Sequence, residues 1–344
     1  MPDGAFRLDR LPHAHGGPAG SGILRAAPED FEVEEVAGFV PDGEGQHVLL
    51  WVQKRNTNTD WLAGQLARFA RVKRRDVSYA GLKDRRALTR QWFSVDLAGR
   101  DAPDWSALDL EGVAVLRAVR HRRKLRRGAL QGNRFRIVVR ELDADPAALA
   151  ERLEAVRREG VPNYFGEQRF GRDGGNLQAA EAMFQGERVR DRHRRGLYLS
   201  AARAWLFNDV LAVRITAGNW NRALAGEVMM LAGSRSHFLV EKTDAAIRQR
   251  LDAFDIHPSG PLWGRGELPT RAAAREVEAE LPRRHPILCR GLEQAGLEQE
   301  RRPLRLPVPD LQWTHDPDAR TLTLTFSLPA GAYATAVLRE IVEV

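Results

Sequence analysis

The chain has 344 residues, 53 Lys plus Arg against 46 Asp plus Glu, a net charge of +7 and one cysteine. At about 100–200 residues per domain it holds about two domains, and a 43% hydrophobic fraction excludes global disorder. Cys289 alone can close no internal disulfide and build no cysteine zinc site, so a disulfide-stapled secreted scaffold is excluded and a cytoplasmic setting is expected. No apolar run approaches the ~18 residues of a membrane span, and Met1 to Gly22 is polar, without the apolar core of a signal peptide. Five of the 53 cations are Lys, leaving 48 Arg. Arginine's planar fork suits phosphates and bases, although an Arg- and Ala-rich composition is also what a GC-rich genome encodes.

In chain order, FEVEEV around Val33 alternates as a strand, and His47 to Lys54 is a second apolar run of strand length. Asn58 or Thr59 caps a helix in which Leu62, Leu66 and Phe69 recur at helical spacing. Val77 and Tyr79 mark a short strand, GLKDRRALTR a polar loop, and Gln91 to Leu97 the next strand. A basic run follows, with six Lys or Arg among the eight residues Arg120–Arg127. Asn133 to Arg140 alternates with Phe135, Ile137 and Val139 on one face, and Pro146 to Gly160 is helical.

After Gly160 the pattern is mainly helical to about Arg302, with helices expected over Leu177–Phe184, Ser200–Thr216, Asp244–Phe254 and Arg271–Leu281. A Pro-rich hinge, RRPLRLPVPD, closes this block. Leu322, Leu324, Phe326 and Leu328 then alternate as a strand, before a last helix with Ala334, Val337, Leu338 and Ile341 on one face. The order sheet, helix, sheet fits either three modules or one α+β domain with a helical insertion. The last strand and helix, about 35 residues, are too few for a core of their own, which favours the insertion.

Neither a G-x-x-x-x-G-K-[ST] phosphate loop nor H-E-x-x-H is present. His13 and His15 sit in a Gly/Pro tail, and His237, His257 and His285 are scattered without an evident carboxylate companion. The informative segment is SYAGLKDRRALTRQWFSV. There Asp84 lies in a loop among Lys83, Arg85 and Arg86. Neighbouring cations favour the ionised carboxylate, which suits a nucleophile or a base; a turn aspartate in a solvated basic loop has the same spacing.

YAGLKDRRALTRQWFSV resembles the catalytic-aspartate motif of the TruD family of tRNA pseudouridine synthases. GVPNYFGEQRFG resembles the signature that opens that family's insertion domain. APEDFEVEE, QGNRFRI, SAARAWLFN and FSLPAGAYATAVLREIVE fit the family in order, so the resemblance runs from about Gly22 to the end. It implies an α+β pseudouridine-synthase catalytic domain with a mixed, mainly antiparallel sheet, over 1–158 and 309–344. A largely helical α/β insertion is expected over 159–308. It also implies isomerisation of uridine to pseudouridine in tRNA, at position 13 of the D arm, with no metal and no organic cofactor. The expected partner is tRNA, with no membrane, and a monomer is the default. The alternative is a non-catalytic tRNA-binding or folding protein of the same fold.

Carried over residue by residue, the resemblance makes Asp84 catalytic and places Phe31, Asn133 and Tyr333 at the uridine site. Arg25 falls near the aspartate, and Phe135, sharing the strand parity of Asn133, is a candidate to stack on the base. Relatives commonly have Lys and Phe where this chain has Arg25 and Tyr333, so the charge keeps its sign with a different reach and the ring gains a hydroxyl. Lys83, Arg122, Arg123, Lys124, Arg126 and Arg127 are expected to contact RNA phosphates. A second basic stretch, Arg188 to Gly196, lies in the expected insertion. Without the resemblance Phe31 and Phe135 read as half-buried strand positions, Asn133 as a turn residue, and Tyr333 as an aromatic packed on the sheet.

Overall fold

The computed structural model describes residues 8–344, so the first seven residues of the polar N-terminal stretch and of the expected 1–158 segment lie outside the described residues. The chain divides into two compact units, each assembled from separate stretches. One holds Gly20–Ala148, Val308–Gly331 and Val342–Val344; the other holds the residues up to Ala19, Leu149–Pro307 and Ala332–Ile341.

The first unit begins with strands β1 (Gly20–Leu24), β2 (Phe31–Ala37) and β3 (His47–Arg55), followed by helix α1 (Thr59–Phe69). Strands β4 (Val77–Tyr79), β5 (Leu88–Asp96), β6 (Val113–His121) and β7 (Leu130–Ala144) complete its first stretch. Helix α2 (Pro146–Glu159) ends at Gly160, whose φ of +75° is the left-handed conformation that a glycine tolerates after a helix. The chain then forms β8 (Val161–Pro162), α3 (Gly175–Phe184), α4 (Arg192–Thr216), β9 (Glu227–Leu231) and β10 (His237–Val240). Next come α5 (Ala245–Asp252), β11 (Ile256–Leu262), α6 (Ala272–Ala279), α7 (Leu281–Arg284), α8 (Pro286–Gln294), β12 (Glu300–Pro303) and β13 (Arg305–Leu306). Strands β14 (Gln312–Asp316) and β15 (Thr321–Pro329) return to the first unit, and α9 (Ala334–Ile341) belongs to the second.

The first unit is a nine-stranded sheet of order β14-β15-β7-β2-β5-β3-β6, with β1 on β7 and β4 on β5. Only β2 and β5 run parallel; the other pairs are antiparallel. The fold is therefore α+β with a mixed, mainly antiparallel sheet. The C-terminal strand completes it, with Phe326 opposite Phe135 and Leu328 opposite Asn133.

Period-two alternation explains the core. On β3, Val48, Leu50 and Val52 are buried together with Leu62, Ala63, Leu66 and Ala67 of α1. Each fully buried leucine contributes about 1.5–3 kcal/mol. The helix starts where Asn58 Oδ1 accepts the Trp61 backbone N–H at 3.0 Å, satisfying one orphan donor of its first turn. On β7, Phe135, Ile137 and Val139 are buried on one face, as their alternation requires. Gly132 lies on the same strand because a Cβ there would stand 2.4 Å from the Leu328 carbonyl oxygen.

The second unit keeps the mainly helical character read over 160–302 and adds strands that the reading did not place. It carries a four-stranded antiparallel sheet, β10-β9-β11-β12, beside its helices. Helix α4 also begins earlier than Ser200. Asp191 caps it by accepting the backbone N–H groups of His193 and Arg194, so the second basic stretch runs into a helical first turn. Among the described residues no helix is long and apolar enough to cross a membrane.

Candidate active site

Asp84 sits in the loop between β4 and β5, and that loop is pinned from below by side chains of the sheet and of α1. Gln91 Nε2 donates to the Gly81 carbonyl at 3.1 Å. Thr59 Oγ1 accepts the Lys83 N–H at 3.2 Å and donates to Gln91 Oε1 at 3.2 Å. Lys54 Nζ donates to the Thr57 carbonyl at 2.7 Å and to the Asp84 carbonyl at 3.0 Å. Lys83 Nζ reaches Glu35 Oε2 at 2.8 Å, with the two side chains 4% and 0% exposed. Thr59, Gln91 and Lys54 are themselves buried, so the loop backbone rests on a polar layer inside the sheet unit. Burial pushes the Glu35 carboxyl up from its ordinary value, against the pull of Lys83.

Above this layer the Asp84 carboxylate is about one-third exposed and accepts a hydrogen bond from Arg25 Nη2 at 2.9 Å. Arg25 follows β1 with φ of +61°, a left-handed conformation that a side chain with a Cβ adopts at a cost of about 1–3 kcal/mol. Its guanidinium also lies 4.1 Å over the Phe31 ring centroid. Arg25 thus bridges an aromatic face and the carboxylate.

Phe31 is fixed at the start of β2 by the turn before it. Asp30, buried, accepts the Ala27 N–H at 2.9 Å and Arg140 Nη2 at 2.7 Å. The Arg140 hydrogen bonds hold the Asp30 carboxyl below the ordinary carboxylate range. The Phe31 ring meets Phe135 edge-on at 6.2 Å, and Phe135 stacks on Phe326 at 5.4 Å. Phe135 is therefore packed between rings of both neighbouring strands and is 6% exposed, which leaves little of it for a base. Asn133, two residues before Phe135 on β7, is half-buried with an Oδ1 that has no hydrogen-bond partner.

The residues singled out from the sequence are distributed accordingly. Asp84, Arg25, Phe31 and Phe135 form a chain of contacts in the nine-stranded unit, with Asn133 on the same strand face as Phe135. Tyr333 belongs to the other unit, where its hydroxyl accepts a hydrogen bond from Arg169 Nη2 at 2.8 Å. Lys83 differs from the exposed cation expected: its ammonium is buried against Glu35. Arg122, Arg123, Lys124, Arg126 and Arg127 are exposed, as phosphate contacts require. Arg122 pairs with Glu44, Lys124 donates to the Arg75 carbonyl at 2.8 Å, and Arg127 lies 5.7 Å over the Tyr79 ring. Lys124, Arg126 and Arg127 line a surface cavity of about 320 Å³ with Arg74 and Tyr79, and Asp84 is not part of its wall.

A correction concerns His285, whose Nε2 lies 3.2 Å from the Asp209 carboxylate, a companion 76 positions away. His257 is buried against Arg305, and burial pushes it down to about 4. Cys289 is buried and its thiol is pushed up to about 12. The layer of Lys54, Thr59, Gln91 and Glu35 was missed. The available signal was strand parity, which puts Lys54 on the face of Val48, Leu50 and Val52.

A mixed sheet that presents one aspartate on a pinned loop, backed by an arginine and a row of aromatic rings, has the architecture of a pseudouridine synthase. The crystal structure of a chain assigned as tRNA pseudouridine synthase D from Methanosarcina mazei has this fold. It superposes with a TM-score of 0.77 at 24% identity, over 96% of this chain and 95% of that one. The family profile of tRNA pseudouridine synthase D (TruD) matches residues 12–188 and 178–341, and the chain belongs to that family. It is 53% identical over 337 residues to tRNA pseudouridine synthase D of Methylococcus capsulatus, covering 98% of this chain and 95% of that protein. It is 52% identical over 333 residues to the protein of the same name from Nitrosococcus oceani, covering 96% and 93%.

Proposed function

We propose that this chain isomerises uridine to pseudouridine in tRNA, at position 13 of the D arm, with Asp84 as the catalytic residue. Membership of the tRNA pseudouridine synthase D family carries the activity. The observation that carries the site is the Asp84 carboxylate, anchored through its own loop backbone and held by Arg25 at 2.9 Å. The catalytic domain runs over 1–158 and 309–344 and the insertion over 159–308, a division that follows the family motifs rather than the bounds of the two compact units. The enzyme works as a cytoplasmic monomer, without metal or organic cofactor.

The reaction breaks the N1–C1′ bond, turns the uracil and joins C5 to C1′. A stacked base hides these atoms, so the uridine is flipped out at a cost of a few kcal/mol. Base–aromatic stacking returns about 1–3 kcal/mol; Tyr333 is the aromatic that the family motif offers for it, while Phe135 is buried against Phe31 and Phe326. Phe31 supports Arg25 from below, and Asn133, with an unpaired Oδ1, offers an acceptor to the base. Asp84 either attacks C1′ or removes the 2′ proton; both routes need the carboxylate form within reach of the ribose. Arg25 orients that carboxylate. The exposed arginines of 120–127 hold the RNA backbone.

The test is incubation of the purified protein with unmodified tRNA transcript and chemical mapping of pseudouridine. Conversion at position 13 is expected. Binding without conversion points instead to a tRNA-binding protein of this fold, and conversion confined to other positions refutes the D-arm assignment.

A further inference from the structure

On β3 the buried face runs Val48, Leu50, Val52 and then Lys54, so an ammonium ends an otherwise apolar row. Lys54 is 0% exposed. Buried lysines are rare unless they are paired, yet both hydrogen bonds of Lys54 go to backbone carbonyls, those of Thr57 and Asp84. The Thr57 bond ties it to the turn before α1, and the Asp84 bond ties it to the residue that bears the proposed catalytic carboxylate. Across the strand pair it faces Thr89, a buried neutral residue. The charged groups that act on it are Asp84, which favours its ammonium form, and Lys83, which opposes it.

We propose that Lys54 is a positioning residue for the isomerisation, fixing the Asp84 peptide and setting a buried positive charge behind its carboxylate. This inference rests on the function proposed above. A purely structural filler of that volume would be leucine or methionine, which avoids the cost of burying a charge. Keeping the ammonium there makes sense if the loop must hold Asp84 in one geometry, because misplacement of a reacting group by about 1 Å can cost on the order of 100-fold in rate. Burial pushes the ammonium down to about 8, so the device loses its charge within reach of ordinary buffers. Above that value the Lys54 amine keeps a donor but no longer presents a positive charge to Asp84.

The experiment measures single-turnover conversion of tRNA transcript from pH 6.5 to 9 for the wild type, Lys54→Met and Lys54→Arg, with tRNA affinity and thermal melting in parallel. The wild-type rate is expected to fall as pH rises through about 8. Lys54→Met is expected to convert at least about tenfold more slowly at pH 7 and to lack that fall, with unchanged tRNA affinity, since the side chain reaches no surface. Lys54→Arg, which stays charged over the whole range, is expected to recover part of the rate with a flat profile. A Lys54→Met protein with the wild-type rate overturns the inference, as does one that is slower but keeps the fall near pH 8. If Lys54→Met fails to fold, a Lys54→Arg protein that still falls near pH 8 overturns it alone. A wild type that makes no pseudouridine refutes the proposed function instead.

Discussion

Replacing Lys83 by Met is expected to destabilise the protein by about 3–5 kcal/mol at pH 8, because it leaves Glu35 as an uncompensated buried carboxylate. The magnitude follows from burial. The pair is 2.8 Å apart with side chains 4% and 0% exposed, whereas an exposed lysine reaching for RNA would cost only about 0–1 kcal/mol when removed. The pH dependence has a defined sign. Burial already pushes the Glu35 carboxyl up while Lys83 pulls it down; without Lys83 it rises further. The folded state then binds a proton more tightly than the unfolded chain, so stability is lost as pH rises above the unfolded value of about 4.3. The penalty at pH 5 is expected to shrink to about 1–2 kcal/mol, the cost of a lost hydrogen bond with the carboxyl protonated. Urea denaturation of wild type, Lys83→Met, Glu35→Gln and the double variant at both pH values measures it, and the double variant is expected to recover most of the loss. A Lys83→Met penalty below about 1 kcal/mol, equal at pH 5 and 8, would refute the buried anchor.

Arg25→Met is expected to slow single-turnover conversion by roughly 10- to 100-fold. It should change stability by no more than about 1 kcal/mol, since both partners are partly exposed; an unchanged rate removes Arg25 from the mechanism. Replacing Arg122, Arg123 and Arg126 together by Ala is expected to weaken tRNA binding, and to flatten its log–log salt dependence by about 0.7–0.9 per lost phosphate contact. An unchanged slope in filter binding means that this run is only a solvated face.

What the sequence disclosed and what it hid divide along the range of the interactions. Helix α1 was legible because Asn58, Leu62 and Leu66 are neighbours in the chain, and β7 because Phe135, Ile137 and Val139 alternate locally. Asp84, Arg25 and Phe31 were legible through family motifs, since no local rule brings an arginine at 25 onto a carboxylate at 84. The burial of Lys83 is hidden from local rules because its partner, Glu35, is 48 positions away on β2, while the neighbouring Arg85 and Arg86 suggest a solvated loop. Lys54 was read only as the end of a strand, although its parity with Val52 already placed it inside. Strand β11 escaped because Pro258 and Pro261 interrupt its pattern, and proline demotes a run as a strand. The His285–Asp209 pair joins helix α4 to the junction between α7 and α8, which no spacing rule connects.

The most direct measurement is pseudouridine formation by Asp84→Asn on unmodified tRNA under single-turnover conditions, with the dissociation constant of the same complex. The side chain keeps its size and loses its charge, so product is expected to vanish while affinity stays within about threefold of wild type, roughly 0.6 kcal/mol. Conversion by Asp84→Asn at the wild-type rate would show that the carboxylate does not carry the reaction.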